Sequence, residues 1–223
     1  MEEKYGFEDL PDRELVCAPI KSELGQDYLK AMRAAANFGF VNRQLLTYSL
    51  IESVRKSFPK SKIDLVYDIA HNIIKMEKHI INGKEKTVCV HRKGATRSFG
   101  PGRPELNSKY KKIGCPIFIP GSMGTYSYVL IGDEKAEELT FGSTAHGAGR
   151  LLSRSAASKQ ITPKALEKEL KEQDVVLESG SLKGAVDEAP KAYKDVNEVV
   201  RVSHELGIGK MVARLKPLGV VKG

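Results

Sequence analysis

Cysteine is scarce and unpaired in this chain of 223 residues: Cys17, Cys89 and Cys115 are the only three, they are scattered, and no CxxC spacing occurs. An odd count without paired spacing excludes a disulfide framework and a zinc ribbon, and it reads as reduced thiols filling a core. No apolar run approaches the roughly 20 residues that span a bilayer, and no secretory leader is visible at the amino terminus. These absences lead to the expectation of a cytoplasmic protein with no membrane partner. Internal repeats and low-complexity tracts are missing too, which excludes a solenoid. Acidic residues are in deficit, 28 against 36 Lys and Arg, so the formal charge is +8 and the pI is near 9.3. That balance favours a polyanionic partner such as RNA or nucleotide phosphate.

What is present fits a globular protein able to bury one sizeable core, with 41% hydrophobic and 29% charged residues. Seven Lys or Arg and a single acidic residue, Glu105, fall between His91 and Lys112, among Gly94, Gly100, Pro101, Gly102 and Pro104. The stretch reads as a basic loop over 91–112, either lying against something anionic or simply solvated.

Ser22 has the character of a helix N-cap, and the run from Gln26 keeps apolar residues at helical spacing (Leu29, Met32, Ala36, Phe40, Leu46, Ile51) up to about Phe58, before Pro59. Gly39 is a candidate bend in this helix, and Asn42 and Arg43 are polar residues in mid-helix. Residues 65–81 are β-rich and are expected to pair with 84–91 through Asn82-Gly83, a type I′ turn signal. Two further strands are expected at 115–120 and 125–132. A short helix is expected over 148–158, then another opened by Thr162 as N-cap and Pro163 at its first position. A short strand at 175–177, a helix over 190–204 and a strand over 210–215 complete the reading. The fold class is α+β, with mixed sheets and packed helices, as one unit spanning 1–223.

The chemistry concentrates in 139–158, LTFGSTAHGAGRLLSRSAAS. Here His146 sits among small residues, and Gly147 and Gly149 let backbone N–H groups approach a ligand. Arg150 and Arg154 lie four apart, on one face if a helix starts here, and Ser153, Ser155 and Ser158 add hydroxyls. A Gly-rich turn leading into an Arg-bearing helix suits an anion, and an imidazole at its mouth is a candidate phosphate-accepting nucleophile. An ordinary histidine capping a turn is the alternative. His71 follows a strand-like run. His79, beside Lys78 near the hairpin turn, reads as exposed and inert, and His91 reads as structural.

Four blocks occur in order: Tyr67-Asp-Ile-Ala-His-Asn72, His91-Arg-Lys-Gly-Ala-Thr-Arg97, Pro120-Gly-Ser-Met-Gly-Thr125 and Ser143-Thr-Ala-His-Gly-Ala-Gly-Arg150. Together they resemble the C-terminal half of the RtcB family of RNA ligases, over essentially the whole chain. The resemblance implies an enzyme dependent on GTP and manganese that acts in tRNA splicing or RNA repair. It joins an RNA 3′-phosphate or 2′,3′-cyclic phosphate to a 5′-hydroxyl through a histidine–GMP adduct. It implies His146 as the guanylylated residue and His71 as a manganese ligand. It also implies nucleotide contacts from Asn72, Pro120, Gly121, Ser122, Met123, Ser127, Ala148, Gly149, Arg150, Tyr193 and Lys222. Arg92, Lys93, Arg97 and Arg154 are candidates for RNA or phosphate contact. The partners implied are RNA such as tRNA exon halves, an archease-type activator, and the family's N-terminal half or a full-length ligase. That half carries an Asp, a Cys and two His that hold manganese, and they have no counterpart in this sequence. Two rival readings stay open: a phosphotransferase working through phospho-His146, and an RNA- or nucleotide-binding module without ligase activity.

Overall fold

Helix α1 (Glu23–Ser57) begins where Ser22 caps it, the Ser22 Oγ accepting from the Gly25 N–H at 3.1 Å. It runs unbroken through Gly39 and ends at Phe58, because Pro59 disfavours helical geometry in the residue before it. Only Gly25 and Leu29 of its 35 residues are buried, and Phe38, Val41, Leu45 and Tyr48 form an exposed apolar stripe along it. The computed structural model describes residues 10–12, 15–179 and 181–217.

Strands β1 (Asn72–Ile81) and β2 (Lys84–Lys93) form a long antiparallel hairpin in register from Asn72↔Lys93 to Ile81↔Lys84. Asn82 and Gly83 both take positive φ, 53° and 73°, as a type I′ turn demands. The strand expected from residue 65 starts only at Asn72, since the hairpin register gives the preceding residues no partner strand. The stretch expected to be one basic loop contains the end of β2 and a short strand, β3 (Ala95–Arg97).

Strand β3 pairs antiparallel with β6 (Ser143–Ala145), so Ala95 faces Ala145 one residue before His146. A three-stranded sheet, ordered β4-β5-β7, is formed by β4 (Pro116–Ile119), β5 (Ser127–Ile131) and β7 (Lys210–Leu215). Every strand pairing among the described residues is antiparallel, which corrects the expectation of mixed sheets while leaving the α+β class in place. The helices are α2 (Lys135–Thr140), α3 (Arg154–Gln160), α4 (Pro163–Glu172), α5 (Leu182–Val186) and α6 (Val196–Glu205). Thr162 caps α4 with Pro163 in its first turn, as expected. Residues 175–177 form no strand; Val175 and Leu177 instead pack on the buried Leu166, Leu170 and Val186 of α4 and α5.

Two helix expectations near the candidate site need correction. Helix α3 starts at Arg154, capped by Ser153, and not near 148. The residues before it are not helical: Arg150 bridges to Tyr193, and the N–H groups of Leu151 and Leu152 both donate to the Ala192 carbonyl. For the same reason the helix expected over 190–204 is split into a 3-10 turn, Pro190–Ala192, and α6, with Tyr193 extended between them. Beneath this junction lies a core of Ile117, Ile119, Tyr128, Leu130, Val196 and Val200 that also takes in Ala148, so the His146 loop is seated on the sheet.

Candidate active site

His146 emerges from β6 with its ring engaged on two sides. Its Nδ1 lies 2.6 Å from the Gly94 carbonyl oxygen, in the turn between β2 and β3. Its face stacks on His71, with ring centroids 4.3 Å apart and planes 11° from parallel. Asn72, the first residue of β1, accepts the Gly94 N–H at 3.1 Å. Burial depresses the His71 pKa first, and the nearby His146 and Arg43 depress it further, so its imidazole is held neutral. A neutral imidazole is the form that ligates a metal. Arg43 reaches this region from α1, donating to Asp68 at 2.6 Å, with one buried guanidinium nitrogen, Nη2, lacking a hydrogen-bond partner among the described residues. Asp68 is thereby engaged with Arg43.

A second group adjoins it. The space a Cβ on Gly147 would occupy is 3.9 Å from Pro120 Cγ, which brings the His146 loop against the turn between β4 and β5. In that turn the Ser127 hydroxyl accepts the Gly121 N–H at 3.1 Å, and the Thr125 hydroxyl accepts the Ser122 N–H at 2.6 Å. No side chain fits at Gly121, where a Cβ would lie 2.1 Å from the Tyr126 carbonyl oxygen. The Ser122 hydroxyl donates to the Glu188 carbonyl, and the Glu188 carboxylate accepts the Tyr193 hydroxyl. Arg150 lies over the Tyr193 ring, 5.1 Å from its centroid, and 3.5 Å from a Glu188 oxygen. Its Nη2 is buried without a hydrogen-bond partner among the described residues. Burial raises the Tyr193 pKa, reinforced by Glu188, so the phenol stays protonated and donates.

The structure therefore gathers Pro120, Gly121, Ser122, Ser127, Ala148, Gly149, Arg150 and Tyr193 beside His146, His71 and Asn72. Among the described residues a Cβ on Gly149 would meet nothing within 4 Å. Met123 belongs to the turn, but its side chain packs into the α4–α5 core. Lys222 lies outside the described residues.

The basic candidates divide. Arg92 is corrected from an RNA contact to an interior residue: it is 3% exposed, and both ends of its guanidinium bond Glu77. Arg97 joins the same carboxylate at 2.6 Å and remains partly exposed. Lys93 and Arg154 are exposed, and Arg154 shares no helix face with Arg150. His79 is also corrected: it is buried, not exposed, 3.3 Å from Glu77 and edge-on to Phe141. His91 lies 3.5 Å from the Cys89 sulfur. Sequence reasoning passed over Gly94, Glu188 and the Arg43–Asp68 pair. Of these Arg43 left a signal as a charged residue in mid-helix, and Asp68 one as a carboxylate three residues before His71, where it suggested a partner for that imidazole; it pairs with Arg43 instead.

The family model described as tRNA-splicing ligase RtcB matches residues 1–223. The chain belongs to the RtcB family. A tRNA-splicing ligase RtcB of Nanoarchaeum equitans is 53% identical over 226 residues, covering 100% of this chain and 47% of that protein. The RtcB of Archaeoglobus fulgidus is 49% identical over 99% of this chain and 46% of its own length. That of Pyrococcus abyssi is 51% identical over 96% of this chain and 24% of its own length. The chain thus spans about half, or a quarter, of the length of the RtcB relatives it matches. No helix among the described residues is long and apolar enough to cross a membrane.

Proposed function

We propose that this chain carries the nucleotide-accepting part of a GTP-dependent RNA ligase of the RtcB type, with His146 as the residue that becomes guanylylated. The observation that carries the reading is where His146 stands: face to face with His71, on the loop whose next residue, Gly147, lies against Pro120 and whose Arg150 covers the Tyr193 ring. A half-buried imidazole held by glycine backbone, on a loop that also carries an arginine stacked on an aromatic ring, suits attack on a nucleoside triphosphate. In the first step a ring nitrogen's lone pair forms a bond to the α-phosphorus. The bond to the β-phosphate oxygen breaks, and its electron pair leaves with pyrophosphate. In the second step an RNA 3′-phosphate oxygen displaces the histidine. A 5′-hydroxyl then attacks that activated phosphate, loses its proton, and expels GMP. Arg150 is the chain's own cation for the triphosphate, and Tyr193 its surface for the base.

Manganese is the cofactor the resemblance implies, and the residues described here do not make its site. His71 is a single candidate ligand, and no group of three His, Cys, Asp or Glu gathers among the described residues. The remaining ligands are proposed to come from polypeptide corresponding to the rest of the RtcB relatives. This same observation favours a second reading for the chain by itself, a nucleotide- or RNA-binding module that does not ligate.

Labelled GTP separates the readings. In a restored complex, with polypeptide corresponding to the rest of the RtcB relatives added together with manganese and GTP, the label should stay on the protein from α-labelled GTP and be released from γ-labelled GTP. A γ-label on His146 would make the protein a phosphotransferase. No label in either case, with GTP still bound, would leave the binding module.

A further inference from the structure

We propose that Gly94 is the positioning residue of His146, its main-chain carbonyl holding the Nδ1 proton so that Nε2 is the nitrogen presented to the phosphorus. The idea rests on the reading of His146 as nucleophile and adds which atom acts and what selects it. A carbonyl oxygen only accepts, so a ring nitrogen 2.6 Å from it must carry the hydrogen. In a neutral imidazole the other nitrogen then bears the lone pair. The stack on His71 fixes the plane of the ring but cannot choose between its nitrogens.

Gly94 is placed for this by its own backbone. Its φ is +69°, a conformation that side-chain-bearing residues rarely adopt, and it turns the chain between β2 and β3 so that the carbonyl faces His146. The turn is tied down on its other side, where the Asn72 Oδ1 accepts the Gly94 N–H at 3.1 Å. The chain of contacts is therefore Asn72 to Gly94 to His146, from the start of β1 to the end of β6. During attack the Nε2 lone pair makes the bond to phosphorus, the pyrophosphate takes the electron pair of the broken bond, and the proton stays on Nδ1, donated to the Gly94 carbonyl.

The test is the tautomer of His146, read from the nitrogen resonances of the ¹⁵N-labelled chain above the imidazole titration range, without nucleotide. The His146 peaks are assigned by their loss in His146→Ala. The native chain should show a protonated Nδ1 and an unprotonated Nε2. Gly94→Ala disturbs the left-handed turn and should lose that signature. Gly83→Ala imposes the same kind of backbone cost at φ +73°, in the hairpin turn with nothing within 4 Å among the described residues, and should keep it. If Gly94→Ala does not fold, the Asn72 pair decides. Asn72→Ala should lose the signature, and Asn72→Asp, which still offers an oxygen to the Gly94 N–H, should retain it. A native His146 protonated at Nε2, or equal effects from the two glycine variants, would overturn the assignment. Because no nucleotide is used, failure to form a GMP adduct in a restored complex would defeat the ligase reading and leave this result standing.

Discussion

Arg92 grips Glu77 inside the hairpin, with hydrogen bonds of 2.9 and 2.8 Å to its two carboxylate oxygens. The same guanidinium donates to the Phe141 carbonyl and to the Ser143 hydroxyl, at 2.9 Å each. One side chain thus ties β1 and β2 to the residues that lead into β6 and His146. Arg97 adds its own pair to Glu77, and His79 lies against it. A buried carboxylate with two guanidiniums is stable only while every member is present.

Glu77→Gln should therefore destabilise the protein by about 3–5 kcal/mol, the usual cost of leaving buried cations without their counter-charge. Acid should do the same to the native chain. Burial opposes the Glu77 charge, but Arg92 and Arg97 outweigh it and hold the carboxyl below its ordinary pKa. With the folded pKa the lower one, the stabilisation is complete above about pH 5 and is lost as pH falls below about 4. The gap in urea midpoint between the native chain and Glu77→Gln should be wide at pH 7 and close under acid. A gap of equal size at both would contradict this account.

The Arg92–Glu77 pair also marks where sequence reading stops. Arg92 stands in a basic run, and a cation in such a run reads as solvated, because nothing local reveals a buried partner 15 residues upstream. The hairpin was legible, since Asn82-Gly83 demands a turn whose two residues both take positive φ. The caps at Ser22 and Thr162 were legible because a hydroxyl before a helical run has one obvious job. Arg150 misled because its four-residue spacing to Arg154 imitates a helix. Its backbone instead pairs with Tyr193, a contact across 43 positions that no local pattern encodes. The blocks around His71, His146 and Ser122 could be picked out, while their meeting depended on strand pairings, β3 with β6 above all, that are too short to leave a periodic signal.

Tyr193 should separate base stacking from hydroxyl bonding. Tyr193→Phe keeps the ring beside Arg150 and loses the bond to Glu188, at a cost near 1 kcal/mol in stability and a small loss of GTP affinity. Tyr193→Ala removes the ring and should weaken GTP by a further 1–3 kcal/mol or so, the range of base–aromatic stacking. Calorimetry on both variants checks the order. Equal GTP affinity in Phe and Ala variants would take the ring out of the pocket.

His71 has an observed role, as the ring stacked on His146, and a proposed one, as a metal ligand, that substitution can divide. His71→Phe preserves a ring against His146, while His71→Ala opens that face; neither retains a metal ligand. Guanylylation in the restored complex should fail in both. The ring-current shift of the His146 protons, measured in the chain alone, should survive in the Phe variant and vanish in the Ala variant. Guanylylation by His71→Phe at the native rate would show that His71 matters as a platform and not as a ligand.

The chain by itself should neither hold manganese tightly nor join RNA. Phosphoryl transfer to an imidazole requires the triphosphate's charge to be neutralised and its α-phosphorus held in line. Arg150 offers one cation for that charge, and His71 one imidazole for a metal, with no cluster of three ligands among the described residues. A lone imidazole holds manganese weakly, since the ion prefers several oxygen and nitrogen ligands around it. The exposed stripe of Phe38, Val41, Leu45 and Tyr48 on α1 adds a second expectation, that the isolated chain presents apolar surface to solvent. Adding polypeptide that corresponds to the rest of the RtcB relatives should quench binding of an apolar dye, raise manganese content and allow labelling from α-labelled GTP. The three gains should appear together if the added polypeptide both covers α1 and completes the metal site. Joining of 3′-phosphate RNA to 5′-hydroxyl RNA by the purified chain, with GTP and manganese and no other protein present, would mean that the residues described here suffice.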